Sequence, residues 1–362
     1  MAERRKRDTI FDYLKQNTAD VYLLQETHSE NTEEELQWEK EWGGTAIWST
    51  GTHRSRGVAI LMHPNFEGTI LQCNKDQEGR TIGIKVDITK TIVNIMNIYA
   101  PTLSSEREEY FNRIWQYNTG RENIIIGGDF NCIEEPQKDK AGGNPNTGQQ
   151  GIKELHYITE QYKLKDVWRN LHPLKREFTW TTADLTLRTR IDRWYYETPQ
   201  MCICDIEACP TSDHSAVIMT VRLTNNNTRG EGIWKMNTTI LTEEGFKQQM
   251  LTVIDIWMKT KDEYGTTAEW WEDGKRKIRE TAKRYSTNKA KTNRQQEKKL
   301  QQELTKAKQA TITDHRKTEK IENELINIMQ ERINGVKTRS RAKWIEKGEK
   351  PTNISLDRKS VV

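Results

Sequence analysis

The chain is poor in apolar residues. Only 34% of its 362 residues are hydrophobic and its mean hydropathy is −0.92. That is low for a single compact globule of this length, so part of the chain is expected to be a solvated helical or irregular extension. No run approaches the ~20 consecutive apolar residues that a membrane span needs. The opening "MAERRKRDTIF" carries charge where a secretory signal carries an apolar stretch. A nuclear or cytoplasmic location, neither secreted nor in a membrane, is therefore expected. Cysteine is also scarce. In a reducing compartment Cys73, Cys132, Cys202, Cys204 and Cys209 read as free thiols. The Cys202-Ile203-Cys204 pair lacks partners at zinc spacing and reads as plain strand.

Charge is present but unevenly placed. Residues 273–350 hold 23 Lys and Arg against 11 Asp and Glu, a net of +12, whereas residues 1–272 hold 32 against 41, a net of −9. An acidic globular part thus precedes a basic tail, a distribution that points to nucleic acid as partner.

Hydrophobic periodicity divides the chain at the same place. Residues 5–16 carry Ile10, Phe11 and Leu14 at helical spacing. "DVYLLQET", "TAIWST", "GVAILM", "RTIGIKVDI", "TIVNIMNIYAP", "NIIIGGDFN", "FTWTT", "RIDRWYY", "MCICDIEAC" and "AVIMTVRL" are short, rich in β-branched residues and bounded by turn formers. Helices are expected near 105–117 and 149–161. Many strands with a few inserted helices predict an α/β fold, a four-layer sandwich of two β-sheets flanked by helices, over residues 1–223. A linker (224–241) leads to a basic helical extension (242–350) and a short tail (351–362). Leu300, Leu304, Ile321, Leu325 and Ile328 form a stripe at spacings of three and four. The stripe reads as a partly coiled-coil face for self-association or packing.

Five polar clusters sit at or just past strand ends: Gln25–Thr27, Tyr99–Pro101, Gly127–Asn131, Arg190–Arg193 and Ser212–His214. Each alone is an ordinary turn or cap; together they could converge at one end of a sandwich. Glu26 and Asp213 are hard oxygen ligands suited to Mg²⁺, with Mn²⁺ the alternative. Asp129 can deprotonate or orient a water, and Asn131 can donate to a phosphate oxygen. His214, oriented by Asp192, can stabilise charge developing at phosphorus, and Tyr99 places a phenol at the edge. In "NIIIGGDFN" the glycines read as room for a close backbone and substrate, with Asp129 and Asn131 on one side of an extended segment. Such a set is suited to phosphodiester hydrolysis.

The ordered group "LLQETH", "NIYAP", "GGDFN", "FTW", "RIDR" and "SDH" resembles the endonuclease/exonuclease/phosphatase superfamily. Within it the chain is most similar to the apurinic-type endonuclease domain of LINE-type retrotransposon polyproteins. "WKMN" (Trp234–Asn237) and "RSRAKWIEKGEKPT" (Arg339–Thr352) resemble the linker towards reverse transcriptase in those polyproteins. The resemblance implies a Mg²⁺-dependent DNA endonuclease that nicks target DNA. It implies Glu26 as metal ligand, Asp129 as water activator, Asn131 as phosphate contact and Tyr99 as catalytic tyrosine. It further implies Thr179 as a supporting hydroxyl, Asp192 as the partner of His214, Asp213 as a metal-site aspartate and His214 as transition-state stabiliser.

Thr102 stands where the family commonly has Asn. The family also opens with a strand whose Asn completes the metal site; this chain begins at the helix that follows, so the strand and its amide are expected to be missing from a truncated copy. Alternatives are an inactive nucleic-acid-binding remnant, with the basic extension holding DNA or RNA, and a repair nuclease or phosphatase of the same superfamily.

Overall fold

The computed structural model describes residues 4–331 apart from 17–18, 53–54, 145–146, 185, 210–211, 224–235, 310–315 and 329. Most of the expected linker, the "KWIEKGEKPT" segment and the tail lie outside the described residues. The first of two compact units takes in residues 1–227 and 301–323. It begins α1 (Arg4–Gln16), β1 (Val21–Leu24), α2 (Thr32–Trp42), β2 (Ala46–Ser49), β3 (Val58–Met62), β4 (Gly68–Lys75), β5 (Thr81–Ile88) and β6 (Thr91–Tyr99). Then follow α3 (Ser104–Ile114), β7 (Ile124–Asp129), α4 (Pro136–Asp139), β8 (Lys140–Ala141), α5 (Ile152–Gln161), β9 (Lys165–Asp166) and α6 (Val167–Leu171). Strands β10 (Trp180–Thr181), β11 (Arg188–Thr189), β12 (Asp192–Tyr196), β13 (Cys202–Ala208) and β14 (Ser215–Val221) complete the sandwich.

Six strands form the main sheet in the order β4-β5-β6-β7-β12-β9, with β6 and β7 its parallel pair. The opposing layer is β1-β3-β2 together with the separate pair β13-β14. Between the layers, Val58, Ile60 and Met62 of β3 and Cys204 and Ile206 of β13 pack on Ile82, Ile84, Ile95 and Ile125. The outer face of the main sheet, with Met96, Ile98, Ile124 and Ile126, is covered by Tyr110, Phe111, Leu155 and Ile158 of α3 and α5. Phe11, Trp38 and Trp42 of α1 and α2 cover β1 and β3 on the other side. Strand alternation explains this division: in β6, Val93 and Ile95 face one core while Met96 and Ile98 face the other. All five residues of β3 are buried, as expected for a strand covered on both faces. Each such aliphatic side chain stabilises the fold by about 1.5–3 kcal/mol.

The four-layer expectation holds, with two differences. The second layer is two hydrogen-bonded sheets rather than one, and a side chain covers part of the β14 edge: Trp194 Nε1 donates to the Val217 carbonyl at 2.7 Å. β4, which the sequence reading passed over, is an edge strand whose residues are half-buried or exposed and which bulges between Ile70 and Gln72. Lys165 and Asp166 form two residues of strand, followed by a one-turn helix capped by Asp166, whose Oδ1 accepts from Arg169 N at 3.0 Å.

The second unit takes in residues 228–300 and 324–362. Its described part holds α7 (Glu244–Met258) and most of α8 (Thr267–Gln309). Ile240, Phe246 and Ala282 make a small core, and the Trp257 and Trp270 rings stack at 4.4 Å. Trp270 therefore packs helices, while Trp271 is exposed. Leu300, Leu304, Ile321 and Leu325 are all buried. No described helix is long and apolar enough to cross a membrane.

The double glycine ending β7 has a packing cause. A Cβ on Gly127 would lie 2.5 Å from the Trp194 ring, and one on Gly128 would lie 2.0 Å from the Ile98 carbonyl oxygen. Gly128 also adopts φ +136°, which L-residues avoid. The room is taken by neighbouring strands; substrate was the other expected occupant. Gly128→Ala should lower stability by about 3 kcal/mol or more, combining backbone strain with overpacking, seen as a fall in the urea midpoint at unchanged slope.

Candidate active site

Three strand ends meet in one row of the main sheet. Tyr99 of β6 is in register with Asp129 of β7, and Asp129 with Asp192 of β12. Residues in register on adjacent strands project to the same face, so the pairing alone brings a phenol and two carboxyls together. β1 supplies Glu26 just past its end, and Tyr99 Oη donates to Glu26 Oε1 at 2.5 Å. This bond spans the two layers. β14 is preceded by His214, whose Nδ1 lies 2.9 Å from Asp192 Oδ2. One ligand atom each of Asp129, Asp192 and His214 falls within 4.8 Å of the others.

The remaining expected residues fall around this centre. Thr179 is buried beneath it, its Oγ1 accepting from the N–H groups of Ile191 and Asp192 at 3.0 and 3.1 Å. Its carbonyl accepts from Ser215 N at 2.6 Å. One threonine thus ties the Asp192 strand to the segment bearing His214. Asn131 is close to Asp129, but by a turn rather than by strand alternation. β7 ends at Asp129, Asn131 takes φ +47°, and its N–H donates to Asp129 Oδ1 at 2.8 Å. Its side-chain amide donates to Ala100 O at 2.9 Å, which leaves one N–H of the amide for a ligand. Asp213, the other residue expected as a metal ligand, is exposed. Its carboxylate accepts from Trp180 Nε1 at 2.9 Å, and both it and Glu26 stand outside the tight cluster among the described residues.

Several residues that position the site were given no role by sequence alone. Asn97, fully buried, donates to Leu24 O and Ala59 O and accepts from Gln25 Nε2 at 2.6 Å. The signal was an amide in the otherwise apolar "TIVNIMNIYAP". Arg190 and Arg193, either side of Ile191 and Asp192, are buried away from the centre. Arg190 Nε donates to Asp139 Oδ1 at 2.8 Å, and Arg193 Nη2 donates to Cys132 O and Arg190 O. Burial opposes ionisation of Asp139, but the hydrogen bonds and charge of Arg190 prevail and hold its carboxyl down at about 2. This network braces both flanks of Asp192. Arg107 donates to Asn131 O at 2.6 Å and holds the turn from the opposite side.

The electrostatics of the centre are lopsided. Burial first, and then the charge of Asp192, push the Asp129 carboxyl up to about 8. Burial disfavours a charged ring at His214, yet the charge and hydrogen bond of Asp192, with Asp129 and Asp213, carry it up to about 10. The imidazole is thus a cation at neutral pH, and Asp129 exchanges its proton in the range where a general base works best. Burial, reinforced by the hydrogen bond to Glu26, drives the Tyr99 phenol far above its ordinary value, so it remains a donor.

The sequence profile of the Endonuclease/Exonuclease/phosphatase family matches residues 2–214. The chain is 28% identical over 285 residues to the Transposon TX1 uncharacterized 149 kDa protein of Xenopus laevis, a match covering 76% of this chain. The chain spans about a fifth of the length of that relative, 21%. An AP endonuclease from Archaeoglobus fulgidus aligns with 60% of this chain and 95% of its own, at 20% identity and TM-score 0.49. The endonuclease domain of TRAS1, a telomere-specific non-LTR retrotransposon, aligns with 62% of this chain and 94% of its own, at 14% identity and TM-score 0.43.

The His214–Asp192 pair can be titrated directly. In the wild type, ¹H–¹⁵N spectra should show the His214 ring losing its proton near pH 10. In Asp192→Asn the raising charge is gone while burial remains, so the transition should fall by at least two pH units. A transition unmoved by that change would remove Asp192 as the cause.

Proposed function

The chain belongs to the endonuclease/exonuclease/phosphatase family, and we propose that it is a Mg²⁺-dependent DNA endonuclease of retrotransposon type, cleaving a phosphodiester by attack of water. The observation that carries this reading is the row Tyr99–Asp129–Asp192 closed by His214. It combines a base, a cation and a carboxylate anchored across the layers. Similarity to the transposon protein runs over 285 residues, beyond the 2–214 of the family match, which supports a retrotransposon origin.

The residues suit a hard divalent cation. Asp129 and Asp192 crowd two carboxyls together, and the charge of Glu26 adds to the pressure on Asp129. A cation held by Glu26, with Asp129 close by, would relieve that repulsion. When bound, Mg²⁺ would supply Lewis-acid stabilisation of charge on the phosphate oxygens. The protein's own groups do the rest. Tyr99 orients Glu26. Asp129 accepts the proton of the attacking water, while Asn131 donates its remaining amide N–H to a phosphate oxygen. His214, kept cationic by Asp192, faces the negative charge that grows at the phosphate. Asp213, engaged with Trp180, is assigned to holding the segment that carries His214 and to raising its charge.

Plasmid nicking with Mg²⁺ tests the reading. Asp129→Ala and His214→Ala should each lower the rate by 10²-fold or more. The rate needs Asp129 deprotonated and His214 protonated. It should therefore rise with pH through an Asp129 limb that the metal shifts below 8, and fall again near 10. Nicking that is equal in the wild type and both variants, or absent from all three, would sink the enzymatic reading.

A further inference from the structure

The long helix α8 carries its positive charge in two different ways. Near its start the cations are neutralised. Lys275 Nζ pairs with Glu272 at 2.6 Å, Lys277 Nζ with Asp273 at 2.8 Å, and Arg276 with both Asp273 and Glu280. Further along, residues 281–296 hold five Lys and Arg and no Asp or Glu. Of those five, Lys289 pairs with Glu243 at the start of α7. Among the described residues, Lys283, Arg284, Lys291 and Arg294 form no ion pair.

Helical geometry sorts these cations by side. Arg279, Lys283, Thr287, Lys291, Arg294 and Lys298 follow one another at steps of four, four, four, three and four, and all are exposed. With 3.6 residues per turn such steps trace a single row, roughly 28 Å long. The buried residues Trp270, Thr281 and Ala282 lie round the opposite face. The row holds no aromatic side chain. Tyr285, the aromatic of this stretch, is half-buried and its hydroxyl donates to Glu243 Oε2 at 2.9 Å.

Like charges three and four residues apart weaken a helix, and an acid at any of these exposed positions would relieve them, as acids do in the preceding turns. A row that keeps surplus charge along its length, on the side not used for packing, is matched to a polyanion. We propose that Arg279, Lys283, Lys291, Arg294 and Lys298 form a docking surface for the sugar–phosphate backbone of duplex DNA. A row without aromatics is unsuited to a single strand, which proteins hold by stacking its bases. Lys and Arg contact phosphates without regard to base sequence. The choice of DNA rests on the nuclease reading, while the surface itself is carried by residues of the second unit.

The test measures binding of the full chain to a fluorescent DNA duplex in EDTA, across a salt series. A triple change, Lys283→Gln, Lys291→Gln and Arg294→Gln, removes three charges and preserves the helix, since Gln is a good helix former. A control, Lys259→Gln, Lys275→Gln and Arg276→Gln, removes as many charges from cations that already pair with acids. The triple change should weaken binding about tenfold or more and make the slope of log K against log[salt] shallower by about two to three. The control should leave the slope as in wild type. Lys283→Arg, Lys291→Arg and Arg294→Lys together should bind within about twofold of wild type. A slope unmoved by the triple change, or moved equally by the control, overturns the surface, as does a wild type that does not bind. An effect seen with an RNA duplex or a single strand but absent with duplex DNA overturns the assignment to DNA. No metal is present, so a chain that binds through the row yet never nicks refutes the nuclease reading alone. A chain that nicks and ignores the row refutes only this surface.

Discussion

The register between β7 and β12 is the constraint on which the rest depends. It sets Asp129 opposite Asp192 at the end of the main sheet, where two carboxyls in a buried row repel each other. A core of isoleucines cannot stabilise that pair; a cation must. His214 supplies one on one side, at 2.9 Å from Asp192. Burial raises the Asp129 carboxyl and Asp192 raises the His214 ring, through a single shared electrostatic field.

Holding such a pair in place needs bracing on the far side of the strand. Arg190 and Arg193 turn away from the centre into a buried network with Asp139 and Asp166. Thr179 and Arg107 hold the neighbouring turns by their backbone groups. Losing one partner of a buried ion cluster strands the other charge, so these residues define the position of Asp192 as firmly as the sheet does. The strained loops at Glu26, His28 and Arg56 are the counterpart on the other flank, joined by backbone hydrogen bonds, with Tyr99 Oη holding the Glu26 carboxylate.

Much of this was legible in the chain itself. β-branched runs marked nearly every long strand, and polar residues just beyond them marked the end where the centre lies. β4 was not legible because an edge strand with a bulge and a polar face lacks the apolar alternation that identifies a strand. The place of Asn131 depended on a positive φ that residue type hardly signals, and the double glycine answered to Trp194 and Ile98, which lie 67 and 30 positions away in the sequence at most. Asp213 looked like a ligand by type, and the bond that Trp180 Nε1, 33 residues away, gives to its Oδ2 was not visible in the sequence. Such choices are made by tertiary neighbours, which spacing along a chain does not display.

One small contact bears on how the molecule behaves among copies of itself. A sheet divided into two parts exposes backbone donors and acceptors that invite pairing with another chain. Here the indole of Trp194 reaches across from the main sheet to occupy the Val217 carbonyl. That side chain acts as a stopper in the row of acceptors: an incoming strand would have to displace a half-buried tryptophan before it could zip along β14. The same ring fills the space left by Gly127, so one residue ties the packing beneath the Tyr99–Asp129–Asp192 row to the covered edge of the neighbouring sheet.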